Sequence, residues 1–475
     1  MYTPNAMSST PTPENLFSLV SKAREALPCP GWKERARRLR TLEKLLHENR
    51  SGIAEAIDDD FGGRPPEETL LLELFPSLAA LRHTLKHGRR WMRPQRRFAE
   101  FWFLPARTEL VPRPLGVVGI IVPWNYPLYL AVGPLIDALA AGNACLLKLS
   151  EFTPRFSVLF AELVERYFPG NEVRAVTGDA ETGKAFSALP FDHLLFTGST
   201  AVGRQVMRAA ASNLTPVTLE LGGKSPAIIG PGARFEHAVE RILVGKCFNA
   251  GQTCIAPDYV LLPRTRVPAF IDTAQTLFTR LYPDFASNRQ YASIIDATHR
   301  ERLQRLHDSA VAAGATPHAL GDAAENDRRP APTLFTDVDV NSPLMQEEIF
   351  GPWLPLIPYD DFEEAVTFVA SRPCPLALYL FDNDKSRLRQ VLERTSAGGV
   401  TVNDTLCHIT QSHLPFGGVG PSGMGTYHGE AGFRTFSRMT PVFHQSRFSG
   451  FSLLNPPYGK RFRYMLRLLI GHGSR

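Results

Sequence analysis

Val117-Val118-Gly119-Ile120-Ile121-Val122, closed by Pro123, is a short continuous apolar run. A strand buried on both faces has this composition, because neither face meets water and nothing polar has to alternate with the apolar residues. Behind it a helix is expected over 128–141, with Gly142-Asn143 as its stop signal. The buried-strand pattern returns at 144–148 and the helical pattern at 154–167, with further strands at 173–176 and 193–196. Strands that alternate with helices imply a parallel sheet covered on both sides, hence an α/β fold.

Upstream, 14–60 has helical spacing, with Leu39, Leu42, Leu45 and Leu46 recurring among Arg, Lys and Glu. A second long amphipathic helix is expected over 67–90, behind Pro65 and Pro66. Downstream of Gly222-Gly223 a second α/β region begins, with helices at 235–248, 267–281, 362–371 and 385–395 and strands at 259–262, 354–359 and 376–381. The segment 314–332, rich in Ala, Gly, Asp and Pro, is expected to be a surface loop. A chain of 475 residues with 44% hydrophobic composition is long enough for roughly two to four domains and is not globally disordered.

Charge excludes some partners. Lys and Arg number 52 against 47 Asp and Glu, and the net charge of +5 is small for this length. No basic stripe with interleaved aromatics is present, so no nucleic-acid partner is expected; the Arg89-Arg90 and Arg96-Arg97 pairs suit solvated helix faces. The six cysteines have neither CxxC nor zinc-ligand spacing, so neither a disulfide framework nor a metal is expected. The Ser/Thr/Pro-rich start, 1–15, lacks the charged-then-apolar order of a signal peptide, and no apolar stretch reaches the length of a membrane span. A cytoplasmic protein with reduced thiols is expected.

Four stretches could carry chemistry. In FTGSTAVG (196–203) a buried strand runs into a Gly turn and then a helix, 203–211, whose N-terminal amides suit a phosphate. The G-x-x-x-x-G spacing is neither a dinucleotide fingerprint nor a P-loop, and a plain strand-to-helix turn explains it equally well. In PVTLELGGK (216–224), Val217, Leu219 and Leu221 alternate with Thr218 and Glu220, which places Glu220 off the apolar face at a strand end. By itself this is a solvated carboxylate. In NAGQTC (249–254), Gly251 suits a left-handed helix end, and Cys254 sits among Gln, Thr and Gly in a polar, accessible setting fit for a nucleophile. Cys145, Cys247 and Cys374 are expected to be inert core thiols. In PWNYP (123–127), Asn125 is either a turn residue or an oxyanion donor that does not titrate.

Together these stretches resemble the NAD(P)-dependent aldehyde dehydrogenases over essentially the whole chain. The matching blocks are PWNYP (123–127), LLKLSE (146–151), FTGST (196–200), LELGGKSP (219–226), GQTC (251–254), EEIFGP (347–352) and PFGG (415–418). FGGRPPEETLLLELFP, GQTCIAPDYVL and PFGGVGPSGMGTYHGEAGF are similar to the branch that holds coniferyl aldehyde dehydrogenases and dimeric fatty or aromatic aldehyde enzymes.

The resemblance implies a Rossmann-type cofactor lobe (1–107 and 123–221), an α/β catalytic lobe (222–410) and a β-arm for oligomerisation (108–122 and 411–450). A C-terminal tail (451–475) follows, expected to pack on the body or fray into solvent rather than lie on a membrane. It implies Cys254 as nucleophile, Asn125 with the Cys254 backbone N–H as oxyanion donors, and Glu220 as the base that activates water on a thioester. Lys148 and Glu151 are implied at the adenosine ribose, Gly198 and Ser199 at the pyrophosphate, Glu348 and Phe350 at the nicotinamide, and Trp124 and Val202 beside the cofactor. A carboxylate at Glu151 accepts hydrogen bonds from a free 2′-OH and repels a 2′-phosphate, so NAD is expected ahead of NADP. Leu149 departs from the family's usual Pro after the lysine. The implied substrate is an aromatic aldehyde, with medium- or long-chain aliphatic aldehydes as the alternative, and the implied assembly is a homodimer.

Overall fold

The protein is described by a computed structural model over residues 12–322, 328–448, 450 and 455–470. The N-terminal tail expected to lack a leader lies, through residue 11, outside the described residues, as do 323–327 of the expected loop and 471–475 of the tail. Its first sheet has six strands in the order Gly423–Met424, Val217–Glu220, His193–Thr197, Val117–Ile121, Ala144–Lys148 and Val173–Val176. All run parallel except Gly423–Met424, which caps one edge antiparallel. The strand met first in the sequence, Val117–Ile121, is central, and the chain builds outward from it first to one side and then to the other. Ligands of open α/β sheets bind beyond the strand carboxyl ends at such a switch point. Helix Tyr129–Ala141 has no solvated face, all its residues being buried against the sheet and helices Trp32–Glu48 and Phe75–Trp91.

The second sheet has seven strands in the order Thr316–Ala319, Thr333–Thr336, Trp353–Tyr359, Tyr259–Pro263, Pro226–Ile229, Ala377–Phe381 and Gly399–Val402, all parallel except the first. A third, antiparallel sheet joins Gln95–Arg97, Arg107–Pro114 and Ser437–His444. The expected arm is therefore shifted. Val117–Ile121 belongs to the middle of the six-stranded sheet and Gly423–Met424 to its edge, while Gln95–Arg97 joins the arm.

Other expectations are corrected locally. The helical stretch 14–60 is three helices, Pro13–Ala26, Trp32–Glu48 and Arg50–Phe61, broken by the Pro28–Gly31 corner and at Asn49. The expected helix 67–90 is Pro66–Thr69, a π-turn Leu70–Leu74 and Phe75–Trp91. Pro76 has no N–H for the carbonyl four residues back; the widened turn, in which Phe75 N–H reaches the Leu70 carbonyl, accommodates it. The 314–332 segment contributes the edge strand Thr316–Ala319. Helix Ala297–Ala312 escaped the sequence reading because only Leu303, Leu306 and Ala310 are buried along an otherwise polar face. Cys374 is half-buried rather than a core thiol. Tail residues 460–470 form helix Lys460–Ile470, none of it buried. Among the described residues no helix is long and apolar enough to cross a membrane.

At the junction of the N-terminal helices and the first sheet lies an ion pair with both side chains fully buried, Arg64 to Glu73 at 2.8 Å. Removing one member strands the other charge in the interior. Arg64→Met is expected to lower the unfolding free energy by about 3–5 kcal/mol, measured by urea denaturation; a loss below about 1 kcal/mol contradicts this reading.

Candidate active site

Strand register lines the candidate residues along one rim. Ile121 lies opposite both Lys148 and Phe196, and Thr197 lies opposite Glu220. The Trp124-Asn125 loop, Lys148, Gly198-Ser199 and Glu220 thus leave the sheet at neighbouring carboxyl ends. Helix Thr200–Ala211 begins three residues earlier than expected, because Ser199 caps it by accepting a hydrogen bond from Val202 N–H at 3.4 Å. Ser199 and Val202 are exposed, so this helix N-terminus is open to an anion. Lys148 is buried at its strand end and forms an ion pair with the exposed Glu151.

The cysteine arrives from the other lobe. Helix Phe235–Cys247 ends in three successive left-handed residues, Asn249 (φ 50°), Ala250 (φ 51°) and Gly251 (φ 75°). A Cβ on Gly251 would stand 2.2 Å from the Gly351 carbonyl oxygen, so only glycine fits. The strained turn is held by side chains. Asn249 Nδ2 donates to the carbonyls of Asn125 (2.9 Å) and Gln252 (3.2 Å), and Gln252 Nε2 donates to those of Asn249 (2.9 Å) and Ser293 (3.0 Å). The Asn125 carbonyl also accepts from Arg64 at 3.3 Å, while Asn125 Nδ2 donates to the Gln252 carbonyl at 3.2 Å. Asn125 and the cysteine loop are therefore locked together from opposite lobes. Cys254 itself is half-buried, unlike the sealed Cys145 and Cys247. Its thiol is pushed well above the ordinary range by burial, and further by the nearby Glu348 and Glu220 carboxyls.

Glu220 is not a solvated carboxylate. Thr218, Leu219 and Glu220 are all buried, and among the described residues neither Glu220 carboxyl oxygen has a hydrogen-bond partner. Burial pushes its pKa well up. A buried, unpaired carboxyl requires a functional explanation, because leaving it unsatisfied costs stability. Glu348 lies alongside: a Cβ on Gly222 would touch its carboxylate, and burial raises its pKa to about 8. Near Glu348, Lys224 Nζ donates to Asp258 (2.6 Å) and to the Leu344 and Glu347 carbonyls (both 2.8 Å). Asp258 in turn accepts from Ile349 N–H at 3.2 Å. Trp124 meets Phe350 edge-on at 5.4 Å and His299 at 4.8 Å, closing an aromatic wall.

The structure thus brings Asn125, Glu220, Cys254 and Glu348 together, joins Trp124 to Phe350, and leaves Gly198, Ser199 and Val202 at the exposed helix start. Arg64, Asn249, Gln252 and Asp258, which position them, were not singled out in the sequence. All four lie inside stretches quoted above (FGGRPPEETLLLELFP, NAGQTC and GQTCIAPDYVL), as Lys224 lies inside LELGGKSP, but none had been given a role. Arg302, which donates to the Glu348 and Ile349 carbonyls, lies on the helix that sequence periodicity failed to show.

A thiol, a buried carboxyl and an amide at the rim of a parallel sheet with an open helix N-terminus define a dinucleotide-dependent oxidoreductase site. The model of the Aldehyde dehydrogenase family matches residues 7–442, and the chain belongs to that family. It is 49% identical to a probable coniferyl aldehyde dehydrogenase of Pseudomonas aeruginosa and 46% identical to a coniferyl aldehyde dehydrogenase of Pseudomonas sp. strain HR199; in each case 96% of both chains is covered. The fold superposes on the substrate-bound state of Staphylococcus aureus AldH with a TM-score of 0.90 at 35% identity, over 96% of this chain and 99% of that one. Members of the family bind NAD(P).

Because the Cys254 pKa is raised, its thiolate fraction in cofactor-free protein grows about tenfold per pH unit through pH 7–9. Alkylation by iodoacetamide, followed by peptide mass spectrometry, should rise accordingly without levelling off. Glu220→Gln, which removes a nearby carboxyl, should accelerate it at any one pH. A plateau below pH 8 contradicts the assigned environment.

Proposed function

We propose that the protein oxidises aromatic aldehydes of the coniferyl type to carboxylic acids, with NAD preferred as acceptor. The observation that carries this reading is the buried Glu220 carboxyl, without a partner among the described residues, close enough to Cys254 to raise its pKa. The curated relatives just described support the choice of an aromatic substrate.

Cys254 Sγ, as the thiolate once its proton has passed to solvent, attacks the aldehyde carbon; the C–S bond forms as the carbonyl π electrons move onto oxygen, giving the thiohemiacetal oxyanion. The oxyanion falls to the Asn125 side chain, whose second N–H is not used in the bond to Gln252, and to the Cys254 backbone N–H. When bound, the nicotinamide supplies the hydride acceptor that turns this adduct into a thioester. Glu220, a stronger base for its raised pKa, takes a proton from the water that releases the acid. Sulfur suits this sequence because a thioester is a better acyl donor than an ester. The residues present fit the dinucleotide: the open N-terminus at Gly198, Ser199 and Val202 for the pyrophosphate, Lys148 and Glu151 for the adenosine ribose, and Glu348, Phe350 and Trp124 for the nicotinamide end. Glu348 Oε1, buried and without a partner among the described residues, is free to accept from a ribose hydroxyl.

We also propose a homodimer formed through the three-stranded arm, in a cytoplasmic setting that suits six free cysteines. Among the described residues strand Ser437–His444 has one unpaired edge, and Phe443 on it and Phe98, Phe101 and Trp102 in the segment after Gln95–Arg97 are exposed. Such an edge and patch are otherwise an aggregation hazard.

Cys254→Ala should abolish aldehyde oxidation. Glu220→Gln should retain a first-turnover burst of NADH and then slow by roughly 10²–10⁴-fold, the usual contribution of a general base. Steady-state kcat/KM across coniferyl, benzaldehyde-type and straight-chain aldehydes, with NAD and NADP, tests substrate and cofactor together. Higher values for straight-chain aldehydes would replace the aromatic reading, and a normal rate in Cys254→Ala would overturn the nucleophile.

A further inference from the structure

Outside the residues assigned to the catalytic and cofactor site, three imidazoles meet. His83 and His87 are one helical turn apart on Phe75–Trp91, and His413 approaches from the segment after Ile409. Ring centroids are 4.5 Å apart for His83–His87, 4.4 Å for His83–His413 and 5.7 Å for His87–His413. One ring nitrogen from each lies within 4.8 Å of the other two. His83 and His87 are half-buried and His413 is exposed. His83 also packs on Trp91 at 5.7 Å, and among the described residues no side-chain hydrogen bond or ion pair engages any of the three rings, so their ring nitrogens are left available to a ligand.

We propose that these three histidines form a binding site for a divalent transition metal of the zinc class, which staples helix Phe75–Trp91 to the 411–416 segment. Three imidazole nitrogens at about 2.0–2.1 Å from a tetrahedral ion stand about 3.3 Å from one another. The observed spacing, within 4.8 Å, is wider than this, and the partly exposed rings have room to turn toward a shared ion. An i, i+4 histidine pair on one helix face is already a bidentate clamp, and the third ligand leaves one position for water. Lys86, Arg89 and Arg90 on the same helix disfavour hard cations held by charge alone. Imidazole ligands select zinc, copper or nickel over magnesium or calcium.

The staple bears on the architecture around the catalytic base. The 411–416 segment leads into Phe416, which stacks on His408 and His428, and on to Gly423–Met424, whose Gly423 pairs with Glu220. The Ser422 carbonyl accepts from Leu221 N–H at 3.0 Å. Metal at the triad would anchor the segment that leads to this edge strand, without touching substrate.

The test uses the full chain without an affinity tag, in a Cys254→Ala background so that the reactive thiol does not compete for zinc. Equilibrium dialysis against Zn²⁺ should find one tight equivalent, with a rise in Tm that Mg²⁺ does not produce. His87→Ala and His413→Ala should each weaken that binding by at least about tenfold and erase the Tm rise. His413→Gln, on an exposed loop, serves as the second variant if either alanine form unfolds, and metal-free Tm values matching the parent establish that the fold is intact. Zinc binding and Tm response unchanged in these variants, or no tight equivalent in the parent, would overturn the site.

Discussion

The buried Arg64 guanidinium is the contact on which the geometry of the site depends. It pairs with Glu73, donates to the Asn125 carbonyl, and lies over the rings of Tyr126 (4.9 Å) and Phe61 (5.2 Å). Glu73 accepts from the N–H groups of Leu128 and Tyr129 at 2.8 and 3.1 Å, where the apolar helix Tyr129–Ala141 begins. A carboxylate at a helix N-terminus meets both unpaired amides and the positive end of the dipole. Two charges in a dry interior are tolerable only when each faces the other, and this pairing carries the more weight because Arg64 Nε and Nη2 have no hydrogen-bond partner among the described residues. The N-terminal helices therefore set where the Asn125 loop can sit.

From that loop the constraint passes to the second lobe. The Asn125 carbonyl binds the Asn249 amide, and Glu68, another buried carboxyl, accepts from Asn249 N–H at 3.0 Å. Burial raises the Glu68 pKa to about 7. These bonds stabilise the run of left-handed residues that aims Cys254 outward, a conformation costing of order 1–3 kcal/mol for each strained non-glycine residue. On the far side Asp258 plays the matching part, gathering Lys224, Lys246 and the Ile349 amide so that Glu348 is held against Gly222. The thiol thus stands between two rigid polar networks, one for the amide in front and one for the carboxyls behind.

Legibility followed the range of the forces involved. Strands 117–121 and 144–148 were readable because burial on both faces leaves a nearly continuous apolar run. Helix Ala297–Ala312 was not, since its three buried positions are too sparse to establish a period, and the π-turn at Leu70–Leu74 answers a local proline conflict that hydrophobic pattern does not encode. Asn125, Glu220 and Cys254 were visible as residue types in quoted blocks. The alternation around Glu220 suggested one wet face, which failed because both faces of the strand are covered: Thr218, Leu219 and Glu220 are buried in succession.

By itself the sequence determined the α/β class, the order of the buried strands, the family blocks and the three chemical groups at the site. Those depend on local periodicity and residue chemistry, which a linear string carries. Only the tertiary structure decided that Glu220 is dry and unpaired among the described residues, that Arg64 and Asp258 hold the site, and that His413 meets His83 and His87 across more than 300 positions of chain. Burial and charge pairing are properties of neighbours in space, and the chain brings such neighbours together only when it folds.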